Sequence, residues 1–164
     1  MGLDSLTLGL ENRAYTALRS FADRKSLKPP HLLTGERGED AAYFHLRGLG
    51  YTVVARRWRT ERLAGDLDIV AWDGPTLVIF EVKTRTASSR EQAFAPAETS
   101  VDPHKQHILR KMASAYLRQF PAPIRSAIAV RFDILSVYRL PTGIEFEQIR
   151  DAFPRSEPAG RRAR

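Results

Sequence analysis

Asp68 lies in the run Gly65-Asp66-Leu67-Asp68-Ile69-Val70-Ala71, and Glu81 and Lys83 lie in Val78-Ile79-Phe80-Glu81-Val82-Lys83-Thr84-Arg85. Each charge interrupts or closes an apolar stretch that would otherwise be an ordinary core strand. Charges held against a core cost several kcal/mol unless they are paired or bound to a metal. Between the two runs, Asp73-Gly74-Pro75 is a turn signal, so the segments are predicted to form an antiparallel hairpin. Counting outward from that turn makes Asp68 and Glu81 nearly symmetric, and opposed or diagonal strand residues stand ~5–8 Å apart at their Cβ atoms. Glu81 and Lys83, two residues apart, share a face of their strand, as do Asp66 and Asp68.

Two carboxylates this close repel, and a divalent cation resolves the conflict. The chain has no cysteine, and carboxylate oxygens without soft ligands favour a hard ion such as Mg²⁺ or Mn²⁺. Such an ion polarises a phosphate oxygen and lowers the pKa of a bound water. A lysine beside it offsets charge developing on the phosphate. The chemistry indicated is phosphodiester hydrolysis. A bare Glu-x-Lys is more often an exposed ion pair of little consequence. The acid across the hairpin makes the two readings equal on geometry.

The surrounding pattern shows what must position these groups. Residues 36–47 are predicted to form a helix capped by Thr34, with Ala41, Ala42, Phe44 and Leu46 mainly on one side and Gly48 and Gly50 ending it. Residues 51–55 form a strand rich in β-branched residues, followed by Arg56, Arg57, Arg59 and Arg62 interleaved with Trp58. The hairpin strands span 67–72 and 76–83, and 86–102 is a loop. Residues 104–120 form a helix with Ile108, Leu109, Met112, Ala115, Tyr116 and Leu117 at helical spacing, stopped by Pro121 and Pro123. Strands at 127–138 and 143–149 complete the order. The helix before the fourth strand permits a crossover, so the fold class is α/β, with a mixed central β-sheet flanked by helices.

The chain has 164 residues, 43% hydrophobic and 27% charged, as in a single soluble domain with a real core. The nuclease-like domain is placed at 31–150. Residues 1–30 form a peripheral extension, with a weak amphipathic helix through Leu3, Leu6, Leu10 and Ala14 and a basic linker over 24–30. Residues 151–164 form a basic disordered tail. No apolar run approaches the ~18 residues of a membrane span, and no secretory pattern opens the sequence, so no membrane is involved and cytoplasm is the expected location. Net charge is +7 and the pI about 10.1, which favours an anionic partner such as nucleic acid.

Taken together, Gly35-Glu36-Arg37-Gly38-Glu39-Asp40-Ala41-Ala42, Gly50-Tyr51, the Gly65–Ala71 run, Glu81-Val82-Lys83-Thr84-Arg85 and Arg131-Phe132-Asp133 resemble the bacterial YraN-like family of the PD-(D/E)xK nuclease superfamily. That family is similar to archaeal Holliday-junction resolvases. The resemblance spans roughly residues 35–140 and implies a restriction-endonuclease-like core. It further implies that Asp68 and Glu81 are metal ligands with the carbonyl of Val82, that Lys83 is the catalytic lysine, and that Glu39 reaches the metal through water. Glu36 is the alternative to Glu39, and both are also ordinary acids for a helix's first turn. Where the family has Gly-Glu, this chain has Gly65-Asp66, which leaves the role of Asp66 open. A divalent-metal-dependent DNA endonuclease follows, its resolvase relation extending to branched DNA and to a homodimer. The alternative is a non-catalytic nucleic-acid-binding accessory protein with the same fold.

Several basic residues are candidates for contacting DNA. Arg85 can take a phosphate bidentately, or else it solvates a strand end. Arg56, Arg57 and Arg59 around Trp58 suit phosphate contact or base stacking, or else mark a strand end with a half-buried tryptophan. Lys105, Arg110 and Lys111 are placed towards DNA. Arg131 and Asp133 are expected to pair and serve the fold.

Overall fold

The computed structural model describes residues 3–24, 30–93 and 101–156. Helices α1 (Leu3–Arg24) and α2 (Pro30–Gly48) precede strands β1 (Thr52–Thr60), β2 (Leu63–Asp73) and β3 (Thr76–Thr86). A short helix α3 (Arg90–Ala93), helix α4 (Pro103–Leu117) and a turn of helix α5 (Ala122–Ala127) lead to β4 (Ala129–Leu140) and β5 (Gly143–Ile149). The sheet order is β1-β2-β3-β4-β5. β3 and β4 are parallel and every other neighbouring pair is antiparallel. A parallel pair needs a crossover, and the segment carrying α4 supplies it. The expected mixed sheet flanked by helices is therefore the observed architecture.

Strand alternation assigns the two faces. Val78 and Phe80 point with Ile69, Ala71, Leu135 and Val137 towards Ala42 and Leu46 of α2. Leu77 and Ile79 point the other way, with Phe132 and Ile134, towards Leu109, Met112 and Tyr116 of α4. Every one of these side chains is buried. The site lies between these two layers of packing, at the level where β2 and β3 part.

Several boundaries differ from the sequence reading. Helix α2 begins at Pro30, a residue suited to a helix's first turn, so Thr34 lies inside the helix and is not its cap. β1 runs on through Thr60 instead of stopping at Ala55, because β2 begins at Leu63 and pairs with it around a turn at 61–62. Arg56, Arg57, Trp58 and Arg59 are therefore strand residues. α4 is capped by Asp102, whose carboxylate accepts the Lys105 N–H at 3.0 Å. It ends at Leu117, and Pro121 opens α5 rather than only stopping α4.

The chain stays packed beyond residue 150. The Ala152 N–H donates to the Phe132 carbonyl at 2.8 Å, and Phe153 is buried in a stack on Phe132, 4.7 Å between centroids. Arg110, placed towards DNA by the sequence, instead lies over the Phe153 ring and donates to the Pro154 carbonyl. The remainder of the predicted tail, 157–164, and most of the predicted basic linker, 25–29, lie outside the described residues.

Candidate active site

The β2–β3 ladder runs from Asp73 opposite Thr76 to Ile69 opposite Phe80. One step further would set Asp68 opposite Glu81, as the turn predicts. There the strands fork: β2 continues beside β1 and β3 beside β4. In place of a ladder bond, the Val82 N–H donates to Asp68 Oδ2 at 2.8 Å. In an extended strand the carbonyl of a residue points to the same side as its N–H, so the Val82 carbonyl also faces the fork. Asp68, Glu81 and Val82 line a cleft of about 460 Å³ together with Thr34, Gly35, Glu39 and Thr84. Glu39 thus lines the same cleft from α2.

Gly38 makes that approach possible. A Cβ at this position would stand 1.7 Å from Thr84 Oγ1 and 2.8 Å from Thr84 Cβ, so α2 touches β3 only because position 38 has no side chain. On the opposite side of the sheet, Gly65 has φ of 107° and a Cβ there would meet Ile108 Cγ2 at 2.6 Å. α4 rests on that spot, and one turn earlier it delivers Lys105 to Glu81, Nζ to Oε2 3.1 Å.

The electrostatics follow from burial. Loss of hydration, then repulsion from Glu81 and more weakly from Glu39, pushes Asp68 up to about 7, against the opposing Val82 N–H and Lys105. Glu81 is also raised by burial, although Lys105 and Lys83 pull it down. Lys105 is raised: burial alone would lower it, but Glu81 and Asp68 outweigh that effect. Lys83 is thus within electrostatic reach of Glu81, on the strand face the sequence assigns it. The lysine in direct contact, however, is Lys105, which the sequence reading had turned towards DNA.

The arginines are used differently from expectation. Arg57 has φ of 49° in the middle of β1, an uncommon conformation for a residue with a side chain. From there its guanidinium bonds Glu39 and the Glu36 carbonyl. Arg56 pairs with buried Asp40 and lies over the Tyr43 ring, 4.6 Å to its centroid. Trp58 packs edge-on against Tyr116, 5.3 Å between centroids, within the α4-side core. Arg56, Arg57 and Trp58 therefore hold elements together. Only Arg59 in this group is well exposed, bonded to Asp66 at 3.0 Å. Asp66 is accordingly an acid at the rim. Arg85 lies opposite Tyr138 of β4. Glu36 pairs with Arg19 of α1 and, unlike Glu39, is not among the residues that line the cleft.

Sequence reasoning missed Gly38, Arg57 as the partner of Glu39, and Lys105 as the partner of Glu81. Gly38 had a legible signal, since a glycine inside a helical pattern costs stability and usually marks a close approach. Lys105 had none, because its contact with Glu81 depends on where α4 lands.

The donor set fits a hard cation. Two carboxylates and a carbonyl face one cleft, and the raised Asp68 marks negative charge that a cation would offset. Among the described residues, no three His, Cys, Asp or Glu side chains gather as a metal site. Glu39 is held back by Arg57, so water and substrate oxygens would complete the shell, as is usual for Mg²⁺.

The family described as uncharacterised protein family UPF0102 matches residues 38–137, from Gly38 through the end of the β4 core. The chain belongs to that family. A UPF0102 protein of Koribacter versatilis is 47% identical over 111 residues, covering 68% of this chain and 72% of its own length. One from Solibacter usitatus is 40% identical over 146 residues, 89% of this chain and 99% of its own. A third, from Acidothermus cellulolyticus, is 41% identical over 127 residues, 73% of this chain and 92% of its own. The UPF0102 match takes in Gly38, Glu39, Asp68, Glu81, Val82, Lys83 and Lys105, so every group lining or neutralising the cleft except Thr34 and Gly35 falls within it.

Proposed function

We propose that this chain is a divalent-metal-dependent DNA endonuclease that hydrolyses phosphodiester bonds, with branched DNA among its substrates. The observation that carries this reading is the pair of half-buried acids, Asp68 and Glu81, held at the fork of β2 and β3 with Glu39 in the same cleft. Two poorly hydrated carboxylates side by side are costly to the fold, and a pure binding surface gains nothing from acids next to phosphates. A bound Mg²⁺ or Mn²⁺ supplies Lewis-acid stabilisation of the phosphate and a more acidic water. Asp68, Glu81 and the Val82 carbonyl would hold it. The Val82 N–H keeps Asp68 turned into the cleft, and Arg57 keeps Glu39 at its edge. Lys83 offsets negative charge on the attacked phosphate, and exposed Arg59 and half-buried Arg85 position the DNA backbone.

The test is cleavage of linear, flapped and four-way DNA with Mg²⁺ or Mn²⁺, beside Asp68→Asn, Glu81→Gln and Lys83→Ala. Each substitution is expected to lower the rate by at least a hundredfold with folding intact. Equal cleavage by all four proteins removes the proposal.

One observation favours a second reading. Lys105 on Glu81 and Arg57 on Glu39 already neutralise two of the acids internally, which suits a non-catalytic nucleic-acid-binding protein. That protein would bind DNA in a salt-sensitive way with or without Asp68 and Glu81, and would cleave none of the substrates.

A further inference from the structure

Helix α1 is amphipathic in the wrong sense for its position. Its polar side faces the protein: Tyr15 donates to Asp40, Arg19 pairs with Glu36, Asp23 with Arg37 and Glu11 with Arg47. Its apolar side faces solvent, with Leu6 71%, Leu10 67% and Leu18 72% exposed, and with exposed Ala14 and Ala17 between them. At these exposures the leucines alone leave on the order of 400 Å² of apolar surface on one helix face, the size of the largest patch on a typical monomer, which is often functional.

The geometry points to a second copy of this chain as the occupant, through an α1-on-α1 contact about a two-fold axis. Leu6, Leu10, Ala14 and Ala17 recur at steps of four, four and three residues, the spacing of one helix face, and the sequence carries that spacing back to Leu3 and on to Phe21. Leu6 and Leu10 lie in the first half of α1, and Ala14, Ala17 and Leu18 in the second. Antiparallel pairing about the middle of α1 therefore brings Leu10 of each copy against Ala14 of the other and Leu6 against Leu18, a self-complementary contact of the kind two-fold symmetry requires. Twenty-two residues give a seam of about 33 Å. Once the flanking stems are included, it approaches the ~600–800 Å² per partner of a small stable interface.

A lipid surface fits less well. Interfacial helices carry a basic polar face, whereas α1 has three acids (Asp4, Glu11, Asp23) against three arginines (Arg13, Arg19, Arg24), and Glu11, Arg19 and Asp23 are engaged with α2. The dimer does not depend on hydrolytic activity.

Light scattering coupled to size exclusion, on the full chain at tens of micromolar, is expected to give twice the 18.5 kDa chain mass. Leu6→Glu/Leu10→Glu is expected to give a monomer with unchanged far-UV circular dichroism, while Ile124→Glu, at an exposed residue of α5, stays dimeric. As a second measure, Ala14→Cys introduces the only cysteine of the chain, and a short bismaleimide should join two such chains but not two Thr142→Cys chains. A monomeric wild type overturns the inference, as does a double variant that remains dimeric. So does an Ala14→Cys protein that fails to cross-link, or leucine-dependent sedimentation with phosphatidylcholine/phosphatidylglycerol vesicles in place of dimerisation.

Discussion

Gly35 and Gly38 lie one turn apart in α2, and replacing each by alanine is expected to move stability in opposite directions. In a helix interior, alanine is favoured over glycine by about 0.8–1.0 kcal/mol. At Gly35 an added Cβ meets nothing within 4 Å, so Gly35→Ala should realise most of that gain. At Gly38 the same methyl would stand 1.7 Å from Thr84 Oγ1, 2.8 Å from Cβ and 2.9 Å from Cγ2. Rotating Thr84 moves Oγ1 and Cγ2 but not Cβ, which is fixed to the strand, so α2 and β3 must separate. Overpacking of this kind costs about 1–3 kcal/mol. Gly38→Ala should therefore be less stable than Gly35→Ala by about 1–3 kcal/mol, although both gain the same helical preference. Urea unfolding followed by far-UV circular dichroism at pH 7 measures both, with an unchanged m value as the sign that only stability has moved. The cycle with Thr84→Ala adds a check, because removing Oγ1 and Cγ2 should return part of the loss and give a coupling of ~1 kcal/mol between positions 38 and 84. If Gly38→Ala stabilises as much as Gly35→Ala, α2 does not lie against Thr84, and Glu39 is not held at the cleft by this contact.

Other expectations come from the charges. Asp68, raised to about 7 chiefly by burial and by Glu81, binds its proton more tightly folded than unfolded. Its contribution to stability is therefore lost as pH rises from about 4 through 7. Asp68→Asn, which can still accept the Val82 N–H, should flatten that fall and be the more stable protein at pH 8, a difference of a few kcal/mol at most that closes near pH 4. By the same sign, Mg²⁺ or Mn²⁺ affinity measured by calorimetry should rise with pH through 7, because both carboxylates must ionise to bind. Lys105→Met leaves half-buried Glu81 without its partner and should cost about 1–3 kcal/mol. Millimolar Mg²⁺ should raise the thermal midpoint of this variant more than that of wild type, and an equal rise would show that Lys105 and the cation do not share Glu81. Asp133 is fully buried between Arg131, Gln148 and the Asp151 N–H, so Asp133→Ala should cost ~3–5 kcal/mol in urea unfolding and leave metal affinity unchanged in whatever fraction remains folded.

Arg131 and Asp133 also show how sequence and structure divide the work. Their pairing was legible, since residues two apart on a strand share a face. Its depth was not: Tyr51, Asp73 and Gln148 join them from other strands and loops and turn the pair into a buried network. The arginines of β1 mislead for a related reason. A run of guanidinium groups beside a tryptophan has the composition of a phosphate-binding stretch, but the acids that claim Arg56 and Arg57 lie 16 and 18 residues away on α2.

By itself the sequence determined what depends on local periodicity. The turn at 73–75 and the two-residue repeat of a strand are enough to set Asp68 across from Glu81 and to put Lys83 on the face of Glu81. The apolar pattern is enough to sandwich the sheet between helices. The tertiary structure decided which charges meet over long separations: Lys105 on Glu81, Arg57 on Glu39, and the polar side of α1 turned inward with its leucines left outside. Those choices depend on how closely whole elements pack, and at Gly38 and Gly65 that distance is set by a missing side chain, which no periodicity in the sequence measures.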